Sequence, residues 1–125
     1  MIAYTSLEQS KKLAEILPLE SADMFCLVVG DTPRVHVLTE PLNNYSHWEN
    51  YPCWSLAALL EIIPKEIFSG EYIINITEGL DNKWCITYDN IDNRNHSFYG
   101  LSSSVDNLID ACYEMILKLH GLKML

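Results

Sequence analysis

The sequence predicts an α+β fold, with an antiparallel sheet of four to five strands built from two hairpins and about three helices packed on the sheet. Three observations support this prediction. Two pairs of β-rich segments are each joined by a turn-forming stretch, which is typical of hairpins. A helical pattern precedes each pair, and a third such pattern closes the chain. The predicted order is therefore α-β-β-α-β-β-(β)-α.

Each predicted helix begins at residues that commonly cap helices and ends near a helix-breaking residue. The starts are Thr5 with Glu8, Ser55, and Ser103 with Ser104, and the ends are Pro18, Pro64 and Gly121. The last helix has the clearest pattern, because one apolar stripe runs along it. The stripe consists of Val105, Leu108, Ile109, Cys112, Met115, Ile116 and Leu119. We expect this stripe to be buried.

The first hairpin is predicted to join residues 24–29 to residues 34–39 through a turn over residues 30–33. The turn contains Gly, Asp, Thr and Pro, which favour reversal of the chain. The first of the two strands is apolar on both faces. This pattern indicates a central or covered strand.

The second hairpin is predicted from residues 71–78 and 83–89, which alternate in polarity, with a turn over residues 79–81. Residues 96–100 add a short edge strand to this prediction. The expected cross-strand partners are Ile76 and Trp84, Ile74 and Ile86, and Tyr72 and Tyr88. This register places the apolar side chains of both strands on one face of the sheet.

Length and charge limit the classes of function that are open to the chain. At 125 residues, we expect residues 1–125 to form a single globular domain. Acidic residues number 17 and basic residues 8, which gives a formal net charge of −9. A nucleic acid or an anionic membrane requires clusters of Lys and Arg, so direct binding to either is not expected.

Cysteine usage and the N-terminal residues predict a cytoplasmic protein. The cysteines at positions 26, 53, 85 and 112 have no C-x-x-C spacing and fit small core residues with free thiols. Residues 1–12 lack the basic start and apolar run of a signal peptide. The four histidines are scattered rather than paired at ligand spacing, so neither a metal nor a cofactor is expected.

No catalytic signature is present in the sequence. It contains no G-x-S-x-G elbow, no phosphate-binding glycine loop and no cysteine in a known nucleophile motif. Residues 89–95 superficially resemble a calcium loop but lack its central glycine and closing glutamate, so their Asn and Asp side chains are expected to satisfy turn backbone. Enzyme activity is left open only for a site assembled in three dimensions.

The longest irregular segment is predicted over residues 40–53, and it is rich in aromatic side chains. Loops often carry function, and Trp and Tyr are favoured in protein interfaces. The candidate protein-binding surface therefore consists of Tyr45, His47, Trp48 and Tyr51. The alternative is that the aromatic residues serve the core or anchor the loop, which applies first to Tyr51 and to Trp54, the residue that follows this segment.

Three segments carry a resemblance to a known group of proteins: Ser21-Ala22-Asp23-Met24, Trp54-Ser55-Leu56-Ala57-Ala58-Leu59-Leu60 with Pro64, and Asp106-Asn107-Leu108-Ile109-Asp110-Ala111. The chain resembles short acidic proteins of unknown function encoded by prophages and other mobile elements of gut bacteria. This resemblance implies an accessory role and supplies no catalytic residues.

The leading hypothesis is a non-catalytic protein-interaction or accessory module of a mobile element, which binds a protein partner or a second copy of itself. One alternative is an acidic decoy that inhibits a nucleic-acid-binding protein, because a net charge of −9 could imitate a phosphate track. Another alternative is a small enzyme with a spatially assembled site.

Overall fold

The computed structural model describes residues 3–29, 32–37, 49–79 and 81–125. Its elements, in chain order, are α1 (Leu7–Ala14), a short 3-10 helix (Leu19–Ser21), β1 (Met24–Val29), β2 (Thr32–Val37), β3 (Glu49–Cys53), α2 (Leu56–Ile62), β4 (Glu66–Ile67), β5 (Tyr72–Glu78), β6 (Trp84–Asn90), β7 (Ser97–Val105) and α3 (Leu108–Gly121). All the strand pairs are antiparallel. The α+β class is confirmed, and the element order broadly matches the predicted one.

Contacts within the chain group its residues into two compact units, Ala3–Leu59 and Leu60–Leu125. The strands of the first unit form a sheet of order β2-β1-β3, and those of the second form a sheet of order β4-β5-β6-β7. The two predicted hairpins thus belong to different sheets, where the sequence analysis expected one. The reason is that β3 pairs with the second edge of β1, so the first hairpin completes a sheet of its own. A single domain over residues 1–125 stays a prediction.

In the first unit, β1 is the central strand, as its two apolar faces predicted. The second strand begins two residues earlier than predicted, because Thr32 and Pro33 already belong to β2 and pair with Val29 and Val28. Residues 30 and 31 of the predicted turn lie outside the described residues. A proline is compatible with this position because, among the described strands, β2 lies at the edge of the sheet, where one side of its backbone pairs with no strand.

The strand β3 corrects the prediction of an irregular segment over residues 40–53. Residues 49–53 pair with β1, and Tyr51 lies opposite Cys26. The strand contains Asn50 and Pro52, which disfavour strands locally, so only its pairing with β1 reveals it. Residues 40–48 lie outside the described residues.

The first helix is capped one residue later than predicted. Ser6 and Gln9 form the capping box, in which the Ser6 side chain accepts from the Gln9 N–H at 3.1 Å and the Gln9 side chain accepts from the Ser6 N–H at 3.0 Å. Thr5 is not free to cap, because its hydroxyl oxygen accepts a 3.2 Å hydrogen bond from the Trp54 N–H and lies 2.8 Å from the Ser10 hydroxyl. The second helix follows its prediction, with the Ser55 hydroxyl accepting from the Ala58 N–H at 3.2 Å.

In the second unit, the register of β5 and β6 differs from the prediction by two residues. Ile76 lies opposite Ile86, Ile74 opposite Tyr88, and Glu78 opposite Trp84. The turn is centred one residue later, because Asn82 adopts the left-handed conformation (φ 63°) and the Gly79 N–H donates to the Lys83 carbonyl at 2.8 Å. A shift of two residues keeps every side chain on its expected face.

The last strand is longer than predicted, and the last helix starts later. Ser103 and Ser104 belong to β7 and are not helix caps. Asn107 is the N-cap, and its side-chain oxygen accepts from the Asp110 N–H at 2.9 Å. The apolar stripe of α3 packs against β6 and β7. Of its predicted members, Ile109, Cys112, Met115, Ile116 and Leu119 are buried, Leu108 is half-buried, and Val105 ends β7.

Among the described residues, no helix combines the length and the apolar character that crossing a lipid bilayer requires.

Candidate functional site

Of the four residues predicted to form a binding surface, one lies within the described part of the chain. Tyr45, His47 and Trp48 lie outside the described residues. Tyr51 lies on β3 and is half-buried, and the ammonium nitrogen of Lys11 sits 4.8 Å from the centre of its ring. This cation–π contact occupies the Tyr51 ring from within the first unit. Whether the four residues form a binding surface stays a prediction.

The second unit contains a group of aromatic side chains that the sequence analysis did not assign to a site. We call this group the aromatic cluster, and it consists of Phe68, Tyr72, His96 and Phe98. The Phe68 and Phe98 ring centres are 5.0 Å apart, those of Phe68 and Tyr72 5.9 Å, and those of Tyr72 and Phe98 5.8 Å. The three rings meet edge to face, which is the favoured geometry for aromatic pairs. The His96 ring lies 6.2 Å from that of Tyr72.

Strand pairing brings the members of the aromatic cluster together at one end of the sheet. Tyr72 is the first residue of β5 and pairs with Ile67 of β4. A register shift between the pairs Thr87–Ser102 and Asp89–Ser97 displaces the start of β7 relative to β6. Phe98 lies within this irregular part of β7, where it reaches the rings of Phe68 and Tyr72. Such irregularities commonly redirect a side chain at the edge of a sheet.

The turn that carries Phe68 has an unusual backbone. Phe68, Ser69 and Gly70 have φ angles of 53°, 57° and 87°, so three consecutive residues are left-handed. Only the glycine adopts this conformation without steric cost, and each of the other two residues costs about 1 kcal/mol or more. The turn is closed by a 3.2 Å hydrogen bond from the Glu71 N–H to the Phe68 carbonyl. The fold therefore maintains a strained turn at the point where Phe68 projects.

The loop that carries His96 is held by hydrogen bonds. The Asn90 side-chain oxygen accepts from the N–H groups of Asp92 at 2.9 Å and Asn93 at 3.1 Å. The Ile91 N–H donates to the Glu71 carbonyl at 3.1 Å, which joins this loop to the Phe68 turn. These bonds confirm that Asn side chains satisfy turn backbone here, as predicted.

The aromatic cluster leaves apolar surface exposed to solvent. Phe68 is 48% exposed, and Ile91, in the loop before His96, is also 48% exposed. His96 is exposed, while Tyr72 and Phe98 are half-buried. An apolar ring that packs against other rings and still stays half in solvent is compatible with a surface that binds another molecule.

A buried carboxylate lies on the opposite face of the same sheet. Asp89 accepts a 2.7 Å hydrogen bond from the Ser97 hydroxyl and a 2.9 Å hydrogen bond from the Asn75 amide. Burial by itself raises the pKa of Asp89, but hydrogen bonds from Ser97, Thr87 and Asn75 and the charge of Arg94 together lower it below its ordinary value. A general base at neutral pH needs a raised carboxyl pKa, so this environment suits a structural anion.

Three of the four cysteines have the environment of core residues. All four are free thiols, and Cys26, Cys53 and Cys112 are buried. Burial raises the pKa of Cys112 to about 11. The pKa of Cys26 is also raised, mainly by burial and to a smaller extent by the nearby Cys53. Reactive cysteines need a lowered pKa, because the thiolate is the attacking species. Within the described ranges, no group of three or more His, Cys, Asp and Glu side chains could hold a metal ion.

Two segments that carry the resemblance to mobile-element proteins contact each other in the first unit. The Trp54 indole N–H donates to the Ser21 hydroxyl at 3.0 Å, and the Ser55 N–H donates to an Asp23 carboxylate oxygen at 2.9 Å. Trp54 is fully buried. These contacts hold the start of α2 against the residues that precede β1.

Comparison with known proteins gives no match: no protein-family model, no curated protein and no solved structure is similar to this chain. The resemblance to short prophage proteins stays a prediction.

The aromatic cluster escapes sequence reasoning because its members come from two segments, residues 68–72 and 96–98, which lie far apart in the chain. Tyr72 was assigned to the apolar face of β5, and Phe98 to a short edge strand. One local signal existed, since Phe68 is followed by Ser69 and Gly70, a turn composition that places an aromatic side chain at the surface. The grouping of the four rings depends on the pairing of β4, β5, β6 and β7.

Proposed function

We propose that this chain is a non-catalytic protein-interaction module that binds a partner protein through the aromatic cluster. The observation that carries the proposal is the strained turn at Phe68 and Ser69, which holds a large aromatic side chain 48% exposed. A conformation that costs free energy and exposes apolar surface is maintained most readily where binding depends on it. Aromatic residues are also frequent among the side chains that dominate interface energies.

Two buried titratable groups of the second unit, Asp89 and Cys112, are not suited to a catalytic role. Asp89 has a lowered pKa and Cys112 a raised pKa, and each shift is opposite to the one that a general base or a thiolate nucleophile needs. The accessory role in a mobile element, which the resemblance implies, is part of the same proposal.

The proposal is tested by affinity capture from a lysate of the source cells, with partners quantified by mass spectrometry. Full-length protein, its Phe68→Ala variant and a Leu122→Ala control are compared. Leu122 is 50% exposed at the end of α3, so the control removes a similar exposed apolar side chain elsewhere in the same unit. We expect Phe68→Ala to lose the partner and Leu122→Ala to retain it, with both variants folded at the temperature of the capture.

Partner capture that is equal for the two variants would contradict binding through the aromatic cluster. The same assay tests the surface predicted from the sequence. If Tyr45 and Trp48 bind the partner, replacing both with Ala abolishes capture and leaves the melting temperature nearly unchanged. A loss of several kcal/mol of stability would show that these side chains seal the core instead.

A further inference from the structure

We infer that the partner of the aromatic cluster is a cationic segment of another protein, which places Arg or Lys side chains on the exposed rings. This inference rests on the proposed function, since it names the chemistry of the partner for the same surface. It is argued from the geometry of the rings, from the carboxylates at the same end of the sheet, and from the net charge of the chain.

Among the rings that meet edge to face, the one most accessible to a cation is that of Phe68, which is 48% exposed. Phe68, Tyr72 and Phe98 meet edge to face with ring centres 5.0 to 5.9 Å apart, so the rings fill the space between them. An ammonium group therefore has no room inside the cluster, unlike in an aromatic cage that surrounds a methylated lysine. The face of a ring is its negative side and attracts a cation within about 6 Å of the ring centre. A guanidinium group can also stack flat on such a face.

Three carboxylates lie at this end of the sheet. Glu66 precedes the Phe68 turn, Glu71 follows it, and Asp92 lies in the loop before His96, and all three are exposed. The Glu66 carboxylate reaches the turn itself, because a methyl group placed on Gly70 would lie 3.4 Å from its Oε2 atom.

None of these three carboxylates forms an ion pair within the described residues. Within the described residues, the one ion pair joins Lys12 to Glu15 in the first unit. Arg94, the cation nearest in sequence to the aromatic cluster, acts on the buried Asp89, whose pKa it helps to lower. Glu66, Glu71 and Asp92 therefore remain available to pair with a cationic partner.

Charge also distinguishes this partner from the alternatives. The chain has a net charge of −9, which repels a second copy of itself and any nucleic acid, and steers a basic segment toward the protein. A purely apolar partner would gain nothing from the exposed carboxylates and would leave them partly desolvated at the edge of the interface.

The test is an NMR titration of the full-length, isotope-labelled protein with two short model peptides, one of alternating Gly and Arg and one of alternating Gly and Glu. We expect the Arg peptide to shift the backbone amide signals of residues 66–72 and 91–98, and the Glu peptide to leave them unchanged. Raising the salt concentration to about 0.5 M should weaken the effect, since charges are then screened within a few ångströms.

Two variants with matched controls probe the two kinds of contact. Phe68→Leu keeps an apolar side chain but removes the π face, and should weaken binding of the Arg peptide about two- to fivefold. Glu66→Gln should weaken it by a similar factor, while Leu122→Ala and Glu61→Gln, which change an exposed apolar residue and an exposed carboxylate elsewhere, should not. Glu66→Gln keeps the test decisive if Phe68→Leu unfolds.

The inference is overturned if the Glu peptide shifts the same signals, or if the Arg peptide shifts signals outside the aromatic cluster. It is also overturned if the same shifts appear when the concentration of the protein is changed without any peptide, because they then arise from self-association. It is also overturned if neither Phe68→Leu nor Glu66→Gln weakens binding. If the peptide titration overturns the inference but Phe68→Ala fails to capture the partner from the lysate, the proposed function still holds. If capture does not depend on Phe68, the proposed function and the inference both fail.

Discussion

The hydroxyl of Tyr88 donates a hydrogen bond to the carbonyl oxygen of Pro64 at a distance of 2.6 Å. Tyr88 is fully buried on β6, and Pro64 follows the end of α2, so this bond joins the chain after the helix to the sheet. Tyr88→Phe removes the donor and leaves the carbonyl without it, which should lower the free energy of unfolding by about 1–2 kcal/mol. Chemical denaturation measures this change. Tyr4→Phe is the control, because Tyr4 is 41% exposed and should lose little.

The same tyrosine predicts a loss of stability at alkaline pH. Burial raises the pKa of Tyr88 from 10.0 to about 12. Between these values the unfolded chain releases the proton and the folded protein retains it, so stability falls as pH rises. We expect denaturation curves to show a smaller decline over this interval for Tyr88→Phe than for the unmodified protein. An identical decline in both proteins would mean that Tyr88 ionises freely in the fold.

Asp89 predicts a loss of stability at acidic pH. Its folded pKa lies below the ordinary value of 3.8, so its contribution is present above that pH and is lost as pH falls through the folded value. The Ser97 hydroxyl and the Asn75 amide both donate hydrogen bonds to the Asp89 carboxylate. In Asp89→Asn, the amide nitrogen replaces one of the two acceptor oxygens, so one of these donors loses its acceptor. We expect a cost of about 1–3 kcal/mol at neutral pH and a weaker dependence of stability on acid.

The measurement for Asp89→Asn is a series of denaturation curves from neutral pH to below 3.8, with Asp92→Asn as the control for loss of one exposed negative charge. If Asp92→Asn changes stability as much as Asp89→Asn does, the effect comes from net charge and not from the buried hydrogen bonds.

Two buried serines are expected to respond in opposite ways to substitution by alanine. Ser103 on β7 is 5% exposed, and its hydroxyl has no hydrogen-bond partner within the described residues. Ser103→Ala removes a buried hydroxyl that forms no compensating hydrogen bond, so the free energy of unfolding should stay the same or rise by about 1 kcal/mol. Ser10 is also buried, but its hydroxyl lies 2.8 Å from that of Thr5. Ser10→Ala should therefore cost about 1 kcal/mol.

Thermal or chemical denaturation of the two serine variants provides the comparison. A Ser103→Ala protein that is clearly less stable than the unmodified one would indicate that the Ser103 hydroxyl is bonded after all.

The sequence by itself determined the elements whose signals are local. The bounds of β1, the cap of α2, the faces of β5 and β6, and the core positions of α3 from Ile109 to Leu119 all follow from patterns within a few residues. Polarity that repeats every two or 3.6 residues reports which face of an element is buried, whatever its neighbours are. The correct face of the second hairpin survived an error of two residues in register for the same reason.

Only the tertiary structure decided the features that depend on distant residues. Thr5 does not cap the first helix, because its hydroxyl contacts Trp54 and Ser10. Residues 49–53 form β3 because they pair with the edge of β1 that β2 does not cover. The division into two sheets follows from that pairing. The aromatic cluster likewise exists because three turns and strand starts meet at one end of the second sheet, and no pattern along the chain encodes the distance between residues so far apart in sequence.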